Sequence, residues 1–221
     1  MIRVGLIIPA NNVAMEYDVY RLSPDNISFH STRMRPSRGC EPEDPERFRR
    51  ELKETYNLLR NVSDIVVYGR TYGTHKNIDI INNVIRKKLV IPESAVMDYL
   101  RDNGINKMFI GTPYIKDRTL EETEYFMSNN FTVCGSDGLN KIYGLDISNT
   151  GENEVMELLN KNSGKIKEAG AIYLACTALP TYNVLNRIKM RYNIPVISEN
   201  SAVLYKISKI LNYNFFIPGI R

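Results

Sequence analysis

Short apolar runs alternate along the chain with longer stretches in which apolar positions recur every three or four residues. The runs predict strands at Val4–Ile8, Ile27–Met34, Asp64–Tyr68, Lys107–Ile110, Phe131–Val133, Ala171–Ala175 and Pro195–Ile197. Several are apolar almost throughout, as strands covered on both faces must be. The three-to-four spacing predicts helices at Asn12–Leu22, Pro45–Arg60, Ser94–Asn103, Thr119–Asn129, Glu152–Leu159, Thr181–Tyr192 and Ser201–Leu211. Asp44-Pro45 is a strong start signal, an N-cap acceptor followed by proline at the first helical position. Strand and helix in alternation predict an α/β fold with mostly parallel sheets.

The pattern repeats itself. Val90-Ile91-Pro92-Glu93-Ser94-Ala95-Val96 is echoed by Val196-Ile197-Ser198-Glu199-Asn200-Ser201-Ala202-Val203. Upstream, Asp64–Tyr68 leads into Gly69-Arg70-Thr71-Tyr72-Gly73-Thr74, and Ala171–Ala175 leads into Cys176-Thr177-Ala178. Val4–Ile8 leads into Pro9-Ala10-Asn11-Asn12, and Lys107–Ile110 into Gly111-Thr112-Pro113-Tyr114. Three units recurring in one order favour duplication, with two similar halves facing each other across a cleft.

Composition narrows the function. With 43% hydrophobic and 24% charged residues, the 221-residue chain is globular rather than disordered. Its net charge of +4 does not call for nucleic acid and suits a small anion equally well. Three scattered cysteines make no disulfide framework. Without a CxxC pair, and with His30 and His75 far apart, no metal site is expected. No apolar run reaches membrane-spanning length, and the first one breaks at Pro9, too short for a signal peptide. The expected compartment is the cytoplasm, with no membrane partner.

In open α/β sheets, ligands bind beyond the carboxyl ends of the strands. Those ends supply Asn11 and Asn12, then Arg70, Thr71, Tyr72 and Thr74, then Thr112 and Tyr114. The run Ile142–Ile147 adds Ser148 and Asn149, and the strand Ala171–Ala175 adds Cys176 and Thr177. Amides, hydroxyls and one thiol, with few carboxylates, suit an anion. Pro180 predicts a helix starting just after Cys176, which would favour the thiolate. The competing reading is a buried, inert thiol. Cys134 reads as packing and Cys40 as an exposed loop residue. Asn11 and Asn12 could simply cap a helix, and residues 71–74 could be an ordinary turn. Arg33, Arg35 and Arg38 read as a solvated loop or a gate for an anion.

These strand ends carry a resemblance. Pro9-Ala10-Asn11-Asn12, Thr112-Pro113-Tyr114, Cys176-Thr177 and the Ser94-Ala95 and Ser201-Ala202 helix starts resemble the aspartate/glutamate racemase superfamily. Within it, the chain is most similar to the maleate cis-trans isomerase and arylmalonate decarboxylase branch, over nearly its whole length. The resemblance implies two pseudo-symmetric three-layer lobes, here 1–93 plus 200–221 and 94–199. It implies chemistry without a cofactor on a small carboxylate, and a homo-oligomer. By resemblance Cys176 is the second of the two cysteines that the isomerases and racemases place on opposite faces of the substrate. The first belongs where Arg70 stands, and arginine stays protonated and cannot act as a base. The decarboxylases also keep only the second cysteine.

The expected function is therefore decarboxylase-like. Cys176 donates a proton to an enediolate, and Asn12, Thr71, Tyr114, Asn149 and the N–H groups near Thr177 hold carboxylate oxygens. Arg70 clamps a carboxylate or forms a salt bridge between the lobes, and Tyr72 lines the same loop. The alternatives are an isomerase or racemase whose second group is Tyr72 or His75, and a non-catalytic binding protein for an anionic metabolite.

Overall fold

The computed structural model describes residues 1–36 and 44–220, so Arg38 and Cys40 lie outside the described residues. Two four-stranded sheets form the framework, and every strand pairing in them is parallel. The first contains β1 (Ile2–Pro9), β2 (Ile27–Met34), β3 (Ile65–Tyr68) and β4 (Lys88–Val90), in the order β2-β1-β3-β4. The second contains β5 (Lys107–Tyr114), β6 (Thr132–Lys141), β7 (Ala171–Leu174) and β8 (Val196–Ser198), in the order β6-β5-β7-β8. The two orders are the same, so β1 matches β5, β3 matches β7 and β4 matches β8. The sequence echo is thus an echo of topology.

Buried central strands explain the apolar runs. All four residues of β3 and all four of β7 are buried, as strands flanked by neighbours and covered by helices must be. Helices α1 (Met15–Leu22), α2 (Pro45–Leu59), α3 (Ile78–Val84) and α4 (Pro92–Asp102) follow the strands of the first half, with a 3₁₀ turn at His75–Asn77 before α3. The second half carries α5 (Lys116–Ser128), α6 (Gly144–Ser148), α7 (Glu152–Lys161), α8 (Ser163–Ile166), α9 (Leu185–Tyr192) and α10 (Glu199–Leu211). Asp44 accepts from the N–H groups of Glu46 and Arg47, as its place before Pro45 predicts. Helix α10 packs against α4 and α1. Its first seven residues, Glu199 to Tyr205, are all buried, Glu199 completely. No helix among the described residues is long and apolar enough to cross a membrane.

Several elements differ from the pattern-based expectation. Strand β6 runs on to Lys141, where the expectation stopped at Val133. It is an edge strand bonded only to β5, and its half-buried Ser136, Asp137 and Gly138 carry no apolar signal. The run Ile142–Ile147 belongs mostly to α6, with Ile142, Tyr143 and Leu145 exposed. The helix expected from Thr181 begins only at Leu185. The Thr181 N–H and hydroxyl both donate to Asp18 Oδ2, at 2.9 and 2.7 Å, which holds the chain in a turn.

Candidate functional site

A cavity opens at the carboxyl ends of both sheets. Arg70, Thr71 and Tyr72 enter it from the loop after β3, and Cys176, Thr177 and Ala178 from the matching loop after β7. Asn11 and Asn12 enter after β1, and Tyr114 closes β5. By the internal repeat, Arg70 and Cys176 hold equivalent places one residue before a threonine.

The two loops are stitched to each other. The Thr177 N–H donates to Thr71 Oγ1 at 3.1 Å, and the Thr177 hydroxyl donates to the Gly69 carbonyl at 3.0 Å. A Cβ at position 69 would meet Met15 Sδ at 2.5 Å and Ile8 Cγ2 at 2.8 Å, so glycine lets this strand end pack against β1 and α1. Asn12 Nδ2 donates to Thr177 Oγ1 at 3.1 Å, while Asn12 Oδ1 takes the N–H groups of Ala14 and Met15. Asn12 therefore caps the first helix and also reaches across the cleft. Asn200 Nδ2 ties the Thr177 carbonyl to Asp18, at 3.1 and 3.0 Å. These bonds fix the loops before any ligand arrives.

Cys176 is 8% exposed and has φ = +85°, in the left-handed region that non-glycine residues rarely occupy. Burial, and then the Glu199 carboxylate, push its thiol up to about 12. The Tyr114 hydroxyl and the N–H groups of Ala178 and Leu179 act in the opposite direction, favouring the thiolate. The expectation that a helix N-terminus would favour the thiolate is corrected: no helix starts at residue 177, and burial dominates. At neutral pH the sulfur carries its proton.

Tyr114 is buried, and burial raises its phenol well above the usual range. Its ring lies 6.1 Å from that of Tyr72, and the Arg118 guanidinium sits over the Tyr72 ring at 4.5 Å. Arg118 also donates to the Ile142 carbonyl at 3.3 Å, which brings α5 and the start of α6 to the cavity rim. Arg118 falls just ahead of the helix expected from Thr119, whereas α5 begins at Lys116 and so carries Arg118 in its first turn. Pro9, Pro36, Ile142, Tyr143, Gly144 and Ile147 complete the lining.

Seven of the eight residues expected at the site, Asn12, Arg70, Thr71, Tyr72, Tyr114, Cys176 and Thr177, meet at this cavity. Asn149 does not. It is exposed and closes α6, with its N–H bonded to the Leu145 carbonyl, because the preceding run is a helix rather than a strand end. His75 also lies away from the lining, stacked on Tyr125 at 4.4 Å with Nδ1 3.9 Å from Glu93. Cys134 is a packing residue, its thiol donating to the Met108 carbonyl at 3.1 Å. Arg33 donates to the Asn12 carbonyl at 2.6 Å and pairs with Glu16, so it braces the start of α1. Glu199 went unread as a functional residue, although it sits inside the repeated segment. Among the described residues, no cluster of three His, Cys, Asp or Glu side chains is arranged to hold a metal ion.

The family model described as arylmalonate decarboxylase matches residues 88–220. A maleate isomerase from Geobacillus stearothermophilus is 22% identical, over 98% of this chain and 94% of its own length. One from Alcaligenes faecalis is 24% identical over the same shares of the two chains. Among solved structures, a cysteine-to-serine mutant of the Nocardia farcinica maleate cis-trans isomerase holds a covalently bound succinylcysteine intermediate. It superposes with a TM-score of 0.86 at 20% identity, covering 99% of this chain and 96% of its own. A double mutant of arylmalonate decarboxylase in the liganded form superposes with a TM-score of 0.84 at 18% identity, covering 99% and 97%.

Proposed function

The chain belongs to the arylmalonate decarboxylase family, and from that premise we propose that it decarboxylates a small substituted malonate without a cofactor, with Cys176 as the proton donor. One carboxylate leaves as carbon dioxide, and its bonding electron pair stays on the substrate as an enediolate. The Cys176 S–H proton then moves to the α-carbon, giving a monocarboxylate, and water reprotonates the thiolate.

The observation that carries this reading is a protonated thiol at Cys176 with an arginine, Arg70, at the equivalent loop position of the other half, both lining one cavity. A thiol pushed up to about 12 is poor as a nucleophile or a base at neutral pH, and holds a proton to give. An enediolate carbon is a stronger base than that thiolate, so transfer runs toward carbon. Arg70, at the matching loop position, can bind a carboxylate but cannot form a thioether or accept a proton. Tyr114 and the N–H groups of Ala178 and Leu179 favour the thiolate once it forms.

A second reading, a cis-trans isomerase acting on an unsaturated dicarboxylate, draws support from the maleate isomerases that match nearly the whole chain. One experiment separates the two. Purified protein is incubated in deuterated water with phenylmalonate and, separately, with maleate, followed by proton NMR and carbon dioxide release. Loss of carbon dioxide with deuterium at the α-carbon, abolished in Cys176→Ser, supports the decarboxylase. Fumarate from maleate without carbon dioxide supports the isomerase. Full turnover in Cys176→Ser refutes the role of the thiol.

A further inference from the structure

Directly behind the cavity, the described residues hold three buried carboxyl groups that play no part in the chemistry above: Glu93, Glu122 and Glu199, exposed by 1%, 2% and 0%. They are not equivalent. Glu93 Oε1 and Oε2 have no hydrogen-bond partner. Glu199 is richly bonded, and every partner belongs to the site or its support. Its Oε1 accepts from the Cys176 N–H at 3.1 Å and from the Tyr173 hydroxyl at 2.7 Å. Its Oε2 accepts from the Thr71 hydroxyl. One carboxyl thus holds the loop after β3 and the loop after β7 at once.

The Tyr173 oxygen lies 2.7 Å from Glu199 Oε1 and 2.9 Å from Glu122 Oε1. A phenol has one hydrogen and can donate to only one of the two. The other contact must run the opposite way, from a protonated carboxyl to the phenol oxygen. Glu199 already has two further donors to favour its charge, whereas Glu122 is held by Tyr173. The proton therefore belongs on Glu122, and the order is Glu122 to Tyr173 to Glu199.

We propose that Glu199 is the positioning residue of the Cys176 site. It holds the Thr71 hydroxyl and the Cys176 backbone in place, and the proton shared along Glu122, Tyr173 and Glu199 sets whether it faces the thiol as a charge. Only the catalytic consequence rests on the reading of Cys176 as proton donor; the placement stands apart from it. Burial pushes Glu199 up to about 7, against four bonds that lower it. Burial, then the charges of Glu93 and Glu199, raise Glu122 well above the carboxylate range. The groups that face this chain are Glu93 on α4, Glu122 on α5, Tyr173 on β7, Tyr114 on β5 and Cys176 itself, with His75 behind Glu93.

The test reads the thiol without turnover. Iodoacetamide alkylation of Cys176 is followed by peptide mass spectrometry from about pH 6 to about pH 9. In the unmodified chain the logarithm of the rate rises with pH, flattens near 7 as Glu199 ionises, and rises again. Glu199→Gln removes the flattening and speeds alkylation at the alkaline end by about tenfold, one unit of thiol pKa. Tyr173→Phe, which takes a donor from Glu199, moves the flattening to higher pH. Identical profiles in all three proteins overturn the proposal. Should Glu199→Gln fail to fold, carbon-13 NMR of the glutamate carboxyls in the unmodified protein decides. One carboxyl titrating near 7 beside another still protonated there supports the shared proton, and all of them titrating below about 5 overturns it. If Cys176→Ser kept full turnover, the proposed function would fail while these profiles stood.

Discussion

The Thr177 N–H donates to the Thr71 hydroxyl oxygen at 3.1 Å, joining residues that hold equivalent places in the two halves of the molecule. Both are 2% exposed, so water cannot replace either partner. The Thr71 hydroxyl in turn donates to Glu199, and the Thr177 hydroxyl to the Gly69 carbonyl. Two threonines at matching strand ends therefore close the cleft by bonding to each other's loops.

Thr71→Val is expected to lower unfolding stability by about 1–3 kcal/mol, because it strands the Thr177 N–H without water or partner. Thr71→Ser keeps the oxygen and is expected to cost less than about 1 kcal/mol. Asn12 and Thr177 meet side chain to side chain across the same cleft, so in a urea-denaturation double-mutant cycle Asn12→Ala and Thr177→Val should be non-additive by at least about 0.5 kcal/mol. Strict additivity would show that the contact carries no coupling.

Much of this was legible because parallel strands buried on both faces write themselves as apolar runs. β3 and β7 are of this kind, and their ends yielded Arg70, Thr71, Cys176 and Thr177. Asn12 was legible only as a choice between cap and ligand holder; its Oδ1 makes the capping bonds, and its Nδ2 donates to Thr177 across the cleft. β4 is only three residues long and begins at an exposed lysine, too short a pattern to register. Asn149 was misplaced because an apolar run of six residues has no readable period, and tertiary context made it a helix. Arg118 and Glu199 escaped for another reason. Charged residues near a helix start read as solvated, and only the folded chain buries them at the cleft, to 5% and 0% exposure.

Arg118 is expected to hold the substrate as well as the cavity rim. Its guanidinium lies over the Tyr72 ring at 4.5 Å and lines the cavity. Arg118→Met preserves much of the stem packing and removes the charge. Steady-state kinetics on the substrate that turns over should show KM raised at least about tenfold, with kcat changed less, as when uniform binding is lost. A fall confined to kcat would assign Arg118 to the chemical step instead.

Stability should fall as pH rises through neutrality. Glu199 has a folded value of about 7 against 4.5 for the free side chain, and burial likewise raises Glu93, Glu122 and Asp18. The folded state then binds more protons than the unfolded one. That contribution is complete below the unfolded values and is lost as pH climbs through the folded ones. Tm should decline between about pH 5 and about pH 8, by roughly 2–4 °C for each kcal/mol lost. Glu93→Gln, which removes a buried carboxyl with neither oxygen hydrogen-bonded, should flatten the decline. A Tm that rises over this range would contradict the burial assigned to these groups.

The backbone at Cys176 predicts an inversion of the usual order of glycine and alanine. At φ = +85° a side chain is strained, and the strain is held by the bonds on either side of it, Cys176 N–H to Glu199 and Thr177 N–H to Thr71. Alanine keeps the Cβ and the strain while leaving a hole where the sulfur was. Glycine also leaves the hole but adopts positive φ freely, at an entropic cost of about 0.5–1 kcal/mol in the unfolded chain. Strain of about 1–3 kcal/mol outweighs that cost. Cys176→Gly should therefore match or exceed Cys176→Ala in unfolding stability, by up to about 2 kcal/mol, where elsewhere in a chain glycine loses. Chemical denaturation of the two variants checks the order. If alanine proves the more stable by about 1 kcal/mol, the left-handed geometry at the thiol is not a property of the folded protein.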